Sequence, residues 1–330
     1  MRILVDAMGG DKAPDSIVNG CMDAIKEQDG FEINLIGHQD LMEKIIRQRG
    51  FSSNRLILTH ADEAIGNDES PTQAIKNKTK SSMVQGFRML CGKEGDAFVS
   101  AGNSGALLAG SLLLVGRMDG VIRPALGAVI PTERGQSLLI DAGLNSECRP
   151  ESYLQFAKFG AEYMKILYGK ENPTIGLINI GTEDQKGTAE AREANLLLKN
   201  SNMNFYGNIE GNNAIEGVVD IMVCNGFIGN VLLKFLEGSG RFFMRNIKNI
   251  LVKSIKNKLS ALIIKKDLRD FARTVDPDIL GGAPILGINE LVIKSHGSSN
   301  AKTIKNVIIK AKKLSEQNII GSIRNNLGVV

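Results

Sequence analysis

The stretch KSHGSSNAK, Lys294 to Lys302, places a histidine, three serines, a glycine and an asparagine between an apolar run, ELVI, and a helix-patterned run, TIKNVIIKAKKL. Four other turns share this make-up. VDAMGGDKAP carries Asp6, Gly9, Gly10 and Asp11, and VSAGNSGALLAG carries Ser100, Gly102, Asn103, Ser104 and Gly105. INIGTEDQKGTAEAREA carries Asn179, Gly181, Thr182 and Lys186, and VCNGFIGNVLLK carries Asn225, Gly226, Gly229 and Asn230. Each reads as a strand end, small polar residues, then a helix start. A helix N-terminus offers unpaired N–H groups and partial positive charge, both suited to phosphate. Glycine lets the backbone approach an anion, while hydroxyls and amides add donors. Ser and Asn are also ordinary helix caps, so one such turn says little. Five turns at the strand-to-helix junctions of one expected sheet predict an anion crevice at the carboxyl ends of its strands. His296, Lys302 and Lys186 add cations or acids near the same edge. His38 and His60 read as structural.

The missing motifs narrow the chemistry. GTEDQKGT has its lysine and glycine in the wrong order for a phosphate-binding Walker loop. No G-x-G-x-x-G follows a strand, and GNSGA brings its second glycine one residue too early for a nucleophile elbow. Three histidines without an H-E-x-x-H or a Cys/His cluster speak against zinc, and no metal is expected. Phosphate acting as its own nucleophile fits what remains, with the protein supplying position and charge stabilisation.

The elements that must position these turns alternate. RILVDAM, FEINLIG, RLILTHA, DAFVSAG, ALGAVIPT, QSLLIDAG, PTIGLINIG, NFYGNIE, DIMVCNG and ELVIKSHG read as strands. Helical patterns lie between them, including a single helix over SPTQAIKNKTKSSMVQGFRMLCG with Pro71 near its start. The alternation predicts an α/β fold, a mostly parallel sheet with helices on both faces. No composition shift marks a domain boundary, so residues 1–330 read as one compact, two-lobed unit. In residues 240–271, Phe243, Ile247, Leu251, Ile255, Leu259 and Leu262 form a stripe flanked by lysines. This is one basic amphipathic helix, or two meeting near Ser260, whose stripe faces either the core or a membrane interface.

The 330 residues suffice for one large domain or two smaller ones. Cys21, Cys91, Cys148 and Cys224 form no C-x-x-C pair and read as free thiols of a reducing cytosol. No secretory signal is expected from MRILVDAMGG, and no apolar run is long enough to span a bilayer. Residues 241–330 carry 17 Lys and Arg against 6 Asp and Glu, while residues 1–240 carry 23 against 30. The basic quarter favours an anionic partner or is simply a solvated face. It lacks interleaved aromatics, and no nucleic acid is expected.

Together VDAMGGDKAP, SAGNSGALL, NIGTEDQKG, NIEG, NGFIGNVLLK and KSHGSSNAK resemble the bacterial acyl-[acyl carrier protein]:phosphate acyltransferases of phospholipid synthesis, from Ile3 to about Ala311. The resemblance implies conversion of an acyl thioester on acyl carrier protein, plus inorganic phosphate, to acyl phosphate. A membrane glycerol-3-phosphate acyltransferase would then take the acyl group. It also implies a fold similar to isocitrate and isopropylmalate dehydrogenases, a homodimer, no required cofactor, and a cytoplasmic protein held peripherally on an anionic membrane surface. The helical hairpin of 240–271 would face that membrane through Leu259, Leu262, Ile263 and Ile264.

By the same resemblance, Asn103, Ser104 and Gly105 would bind phosphate at a helix start, and Gly181, Thr182 and Lys186 would line the same crevice. Asn230 and Asn300 would donate hydrogen bonds, while Ser298 and Ser299 would cap a helix and touch the anion. His296 is the candidate to orient phosphate or protonate the departing thiolate, since a histidine ordinarily titrates near working pH. Two positions depart from the family pattern. Asn225 stands where an aspartate is usual, which removes a base or metal ligand there, and Leu144 reads as a packing variant. Two rival readings are a dehydrogenase, for which the metal-binding aspartates are missing, and a membrane-docked scaffold that binds acylated carrier without catalysis.

Overall fold

The computed structural model describes residues 1–264, 266–267 and 282–327. Its strands, in chain order, are β1 Arg2–Asp6, β2 Glu32–Gly37, β3 Leu56–His60, β4 Ala97–Ser100, β5 Ala125–Thr132, β6 Gly135–Ile140, β7 Ile175–Ile178, β8 Phe205–Ile209, β9 Ile221–Val223, β10 Ala283–Leu286 and β11 Val292–Lys294. The α-helices among the described residues are α1 Asp15–Glu27, α2 Gln39–Gln48, α3 Pro71–Asn77, α4 Ser82–Cys91, α5 Ser104–Gly110, α6 Pro150–Tyr168, α7 Ala189–Lys199, α8 Asn213–Glu216, α9 Gly226–Val252, α10 Ile255–Ile263, α11 Ala301–Glu316 and α12 Ile319–Asn326, and a π-helical turn, Ser111–Val115, continues α5.

The strands form one mixed, mostly parallel sheet in the order β3-β2-β1-β4-β11-β10-β5-β6-β9-β7-β8. Strand alternation splits the core in two. Ile3 and Val5 pack on one face with α1, α2, α6, α7, α11 and α12. Leu4 packs on the other with α3, α4, α5 and α8. This is the period-2 burial of a sheet covered on both sides.

The sheet does not have a single carboxyl edge, and the expectation of one is corrected. β3, β2, β1, β4 and β11 are parallel to one another, as are β6, β9, β7 and β8. Between these blocks β10 is antiparallel to both β11 and β5, and β5 is antiparallel to β6. The blocks therefore run in opposite senses. Sheet twist of about 20–25° per strand turns one block far round relative to the other. Helix α9 then links their turns.

Two helix boundaries also differ from expectation. The single helix expected through residues 71–91 is α3 and α4, because Ser81 caps α4 by accepting from the Val84 amide at 3.4 Å. The basic segment does not start at 240. Helix α9 runs unbroken from Gly226, and the break falls at Lys253–Ser254 rather than Ser260. Ser254 caps α10 by accepting from the Asn257 amide at 3.1 Å. Among the described residues no helix is long and apolar enough to cross a membrane.

Candidate active site

Each block ends in a buried carboxylate. After β1, Asp6 accepts from the Ser82 and Ser100 hydroxyls at 2.6 and 2.7 Å and from the Met8 amide at 3.1 Å. Burial outweighs these donors and raises its pKa. A Cβ on Gly9 would lie 2.5 Å from the Gly102 amide nitrogen, so glycine alone lets the β1 and β4 turns touch. After β6, Asp141 accepts from the amides of Leu126, Gly143, Leu144 and Asn145 and from the Asn145 side chain, all within 3.1 Å. Burial again raises its pKa. Both carboxylates hold turns in place.

The opening stretch follows β11 and lies beside the β4 turn, where the Ser295 amide donates to the Ser100 carbonyl at 2.8 Å. His296 is exposed and its ring is oriented from one side. Its Nδ1 accepts from the Ser298 amide at 3.2 Å and lies 2.8 Å from the Ser298 hydroxyl. Accepting at Nδ1 places the proton of the neutral ring on Nε2. That nitrogen is 3.9 Å from Glu237 Oε2, and Lys234 Nζ holds the same oxygen at 2.9 Å.

Lys294 completes the cluster. Burial first, then Lys234, hold its ammonium below the ordinary lysine range, and Glu237 opposes them. It would thus lose its proton at lower pH than an exposed lysine. If the charged form serves turnover, Lys294→Arg is expected to move the alkaline limb of the rate profile to higher pH. A profile of turnover from pH 6 to 10 checks this, and an unmoved limb removes Lys294 from the chemistry.

Helix α9 joins the two ends. Its first turn packs on Asp141 through Gly229, and Glu237 lies eight residues further on. At 1.5 Å per residue this separation is about 12 Å.

The structure places the sequence candidates unequally. Asn103 is buried and fully engaged: Oδ1 accepts from the Ala106 amide at 3.0 Å, and Nδ2 donates to the carbonyls of Gly66 and Asn67 at 3.1 Å and Glu69 at 3.3 Å. Ser104 is exposed in the first turn of α5, and Gly105 faces Pro71 of α3. Ser298 and Ser299 do not cap α11. Asn300 does so, its Oδ1 accepting from the Thr303 amide at 3.0 Å, because Ser298 is turned to His296 and Ser299 is buried against Ser295 at 2.9 Å. Asn230 is exposed above Gly143. Asn225 caps α9 by accepting from the Ile228 amide at 2.9 Å.

Lys186 and Thr182 are exposed in the long turn after β7, with Lys186 lying over Gly181. That turn reaches α7 only at Thr188, which supplies its cap. Leu144 packs against the second core, as a packing residue should. Leu262, Ile263 and Ile264 are 66%, 84% and 40% exposed. The Leu259 side chain lies outside the described residues, as does the end of the 240–271 segment beyond Asp267.

Sequence reasoning missed Glu237, Lys234 and Lys294. Glu237 has a helical signal: it is two turns beyond Asn230 on the same helix.

Solved structures share this two-block α/β fold. A phosphotransacetylase from Streptococcus pyogenes superposes with a TM-score of 0.62 at 15% identity, covering 96% of this chain and 94% of that one. A branched-chain phosphotransacylase from Enterococcus faecalis gives 0.59 at 13%, covering 96% and 99%. The chain belongs to the fatty acid synthesis protein family, which matches residues 1–322. The phosphate acyltransferase of Acetivibrio thermocellus is 53% identical over 98% of this chain and 96% of its own. That of Thermoanaerobacterium thermosaccharolyticum is 42% identical over 100% and 98%.

Proposed function

We propose that the protein is a phosphate acyltransferase that converts acyl-[acyl carrier protein] and inorganic phosphate to acyl phosphate and free carrier, the first step toward phosphatidic acid. The observation that carries this reading is the His296 cluster at the start of α11, within a chain related over its full length to phosphate acyltransferases. A phosphate oxygen attacks the thioester carbon, the C–O bond forms and the C–S bond breaks. His296 gives its Nε2 proton to the departing sulfur and takes up the proton that the attacking hydrogen phosphate loses, so the ring ends neutral, and Lys294 and Lys234 offset phosphate charge. Asn230, Ser104, Thr182, Lys186 and the free amide of Asn300 are the donors left to meet substrate. Asn103, Gly105, Gly181, Ser298 and Ser299 shape the turns that bring those donors in. The chemistry requires no metal or cofactor.

The proposal extends to architecture and surroundings. Residues 1–330 act as one two-lobed catalytic unit of the isocitrate and isopropylmalate dehydrogenase type, with 240–271 as its membrane- or partner-facing insertion. The copies pair as a homodimer, and the exposed apolar residues of α9, among them Phe235 and Phe243, favour pairing. The protein is cytoplasmic and attaches peripherally to anionic membrane through Leu259, Leu262, Ile263 and Ile264. There it passes acyl phosphate to a glycerol-3-phosphate acyltransferase. Leu262→Glu combined with Ile263→Glu is expected to lower co-sedimentation with anionic vesicles at least tenfold while leaving turnover in solution intact. Unchanged sedimentation would place the membrane contact elsewhere.

The direct test of activity mixes purified protein with palmitoyl-acyl carrier protein, with and without inorganic phosphate, and traps acyl phosphate with hydroxylamine. Thiol release that requires phosphate and matches the hydroxamate formed is the expected result. Tight carrier binding without release would make the protein a scaffold and Asn225 the position to restore to aspartate.

A further inference from the structure

A cavity of about 950 Å³ opens at the first turns of α6, α7 and α9. Its lining includes the residues that begin these three helices, Arg149, Thr188 and Asn225. Arg117 and Arg123 add two more guanidinium groups, and Glu147 and Glu190 are the carboxylates. Nη1 of Arg117 donates to the carbonyls of Val121 and Ile122, so this side chain builds the wall. Arg123 and Arg149 are exposed and engage no acidic side chain among the described residues. A pair of guanidinium groups with free donors is the arrangement that grips a phosphate group. The helix starts add to the same field. Three arginines against two glutamates leave one positive charge, which matches a singly charged phosphodiester better than a dianion.

The distance to His296 is also comparable with the span of a particular ligand. Asn225 in the cavity and Glu237 beside His296 are separated by twelve residues of α9, a rise of about 18 Å. The pantetheine arm of a carrier protein, roughly thirteen bonds from phosphorus to sulfur, extends to about 16 Å. We infer that this arginine-lined cavity binds the phosphodiester of the carrier's pantetheine arm and so sets its thioester at the His296 end of α9. The inference rests on the acyltransferase reading and adds a second point of attachment to it.

The test is the Arg123→Ala, Arg149→Ala double variant of the full chain, with its fold checked by thermal melting. The KM for palmitoyl-acyl carrier protein is expected to rise at least about tenfold, as for loss of a charge-assisted hydrogen bond, with the KM for inorganic phosphate unmoved. Free 4′-phosphopantetheine should inhibit the native protein more strongly than pantetheine does, and the variant should lose that difference. A raised KM for phosphate would make the cavity the inorganic phosphate site and overturn the inference. A raised carrier KM without the inhibitor difference would assign the arginines to the acidic surface of the carrier, and two unmoved KM values would leave them no ligand; either result also overturns it. Failure of the acyltransferase reading would appear separately, as a native protein that releases no thiol.

Discussion

Alanine at His296 is expected to lower phosphate-dependent thiol release by about 10²- to 10⁴-fold, the usual contribution of a positioned general acid. The melting temperature should stay in place. The ring is exposed and buries little surface, and its hydrogen-bonding partner at Nδ1 belongs to its own turn. Loss of the ring therefore removes the proton on Nε2 and leaves the β11–α11 junction intact. That junction is held by the Ser295–Ser299 hydroxyl contact and the Asn300 cap. Measuring turnover and thermal unfolding on the same preparation separates the possibilities. Unchanged turnover would take His296 out of the mechanism, and a parallel fall in both would make it a structural residue.

Alanine at Gly229 is expected to do the opposite and strike stability first. A Cβ there would lie 1.9 Å from the Asp141 carbonyl oxygen, a backbone atom that cannot rotate away. Relief requires α9 to lift off the β6 turn, which Asp141 pins through five hydrogen bonds. Overpacking of this kind costs about 3 kcal/mol or more. Urea unfolding of the variant should show the loss, and activity should fall with it because the same helix carries Glu237. A variant as stable as the native chain would mean that α9 does not sit on Asp141 in solution.

Much of the sheet was legible because its strands are short apolar runs bounded by turn residues. β10 was not legible. APIL is brief, follows glycines and contains Pro284, which reads against a central strand. That omission also hid the reversal between the blocks, since β10 is one of the two strands that create it. The α3–α4 break was concealed because the run from Lys76 to Lys80 has no glycine or proline to mark it, and Ser81, the cap of α4, looks like any other polar residue.

At the site, the five turns were readable by composition, but the duties of their side chains were not. A capping asparagine and an exposed one look alike in sequence, yet Asn103 caps α5 under the loop at Gly66–Glu69 while Asn230 lies exposed within α9. Glu237 carries no motif of its own. Its role comes from where α9 happens to pass.

That passage has a rotational side. Gly229 fixes α9 on Asp141, and every residue after it advances the helix by about 100°. Glu237 meets His296 because eight residues bring the carboxylate round to the correct bearing. Inserting one residue between them would move Glu237 along the axis by only about 1.5 Å but swing it through more than a quarter turn, away from the imidazole. The alignment of the two halves of the site is therefore kept as an angular phase. Between Gly229 and Glu237, Asn230 and Lys234 aside, the number of residues matters more than the side chains they carry.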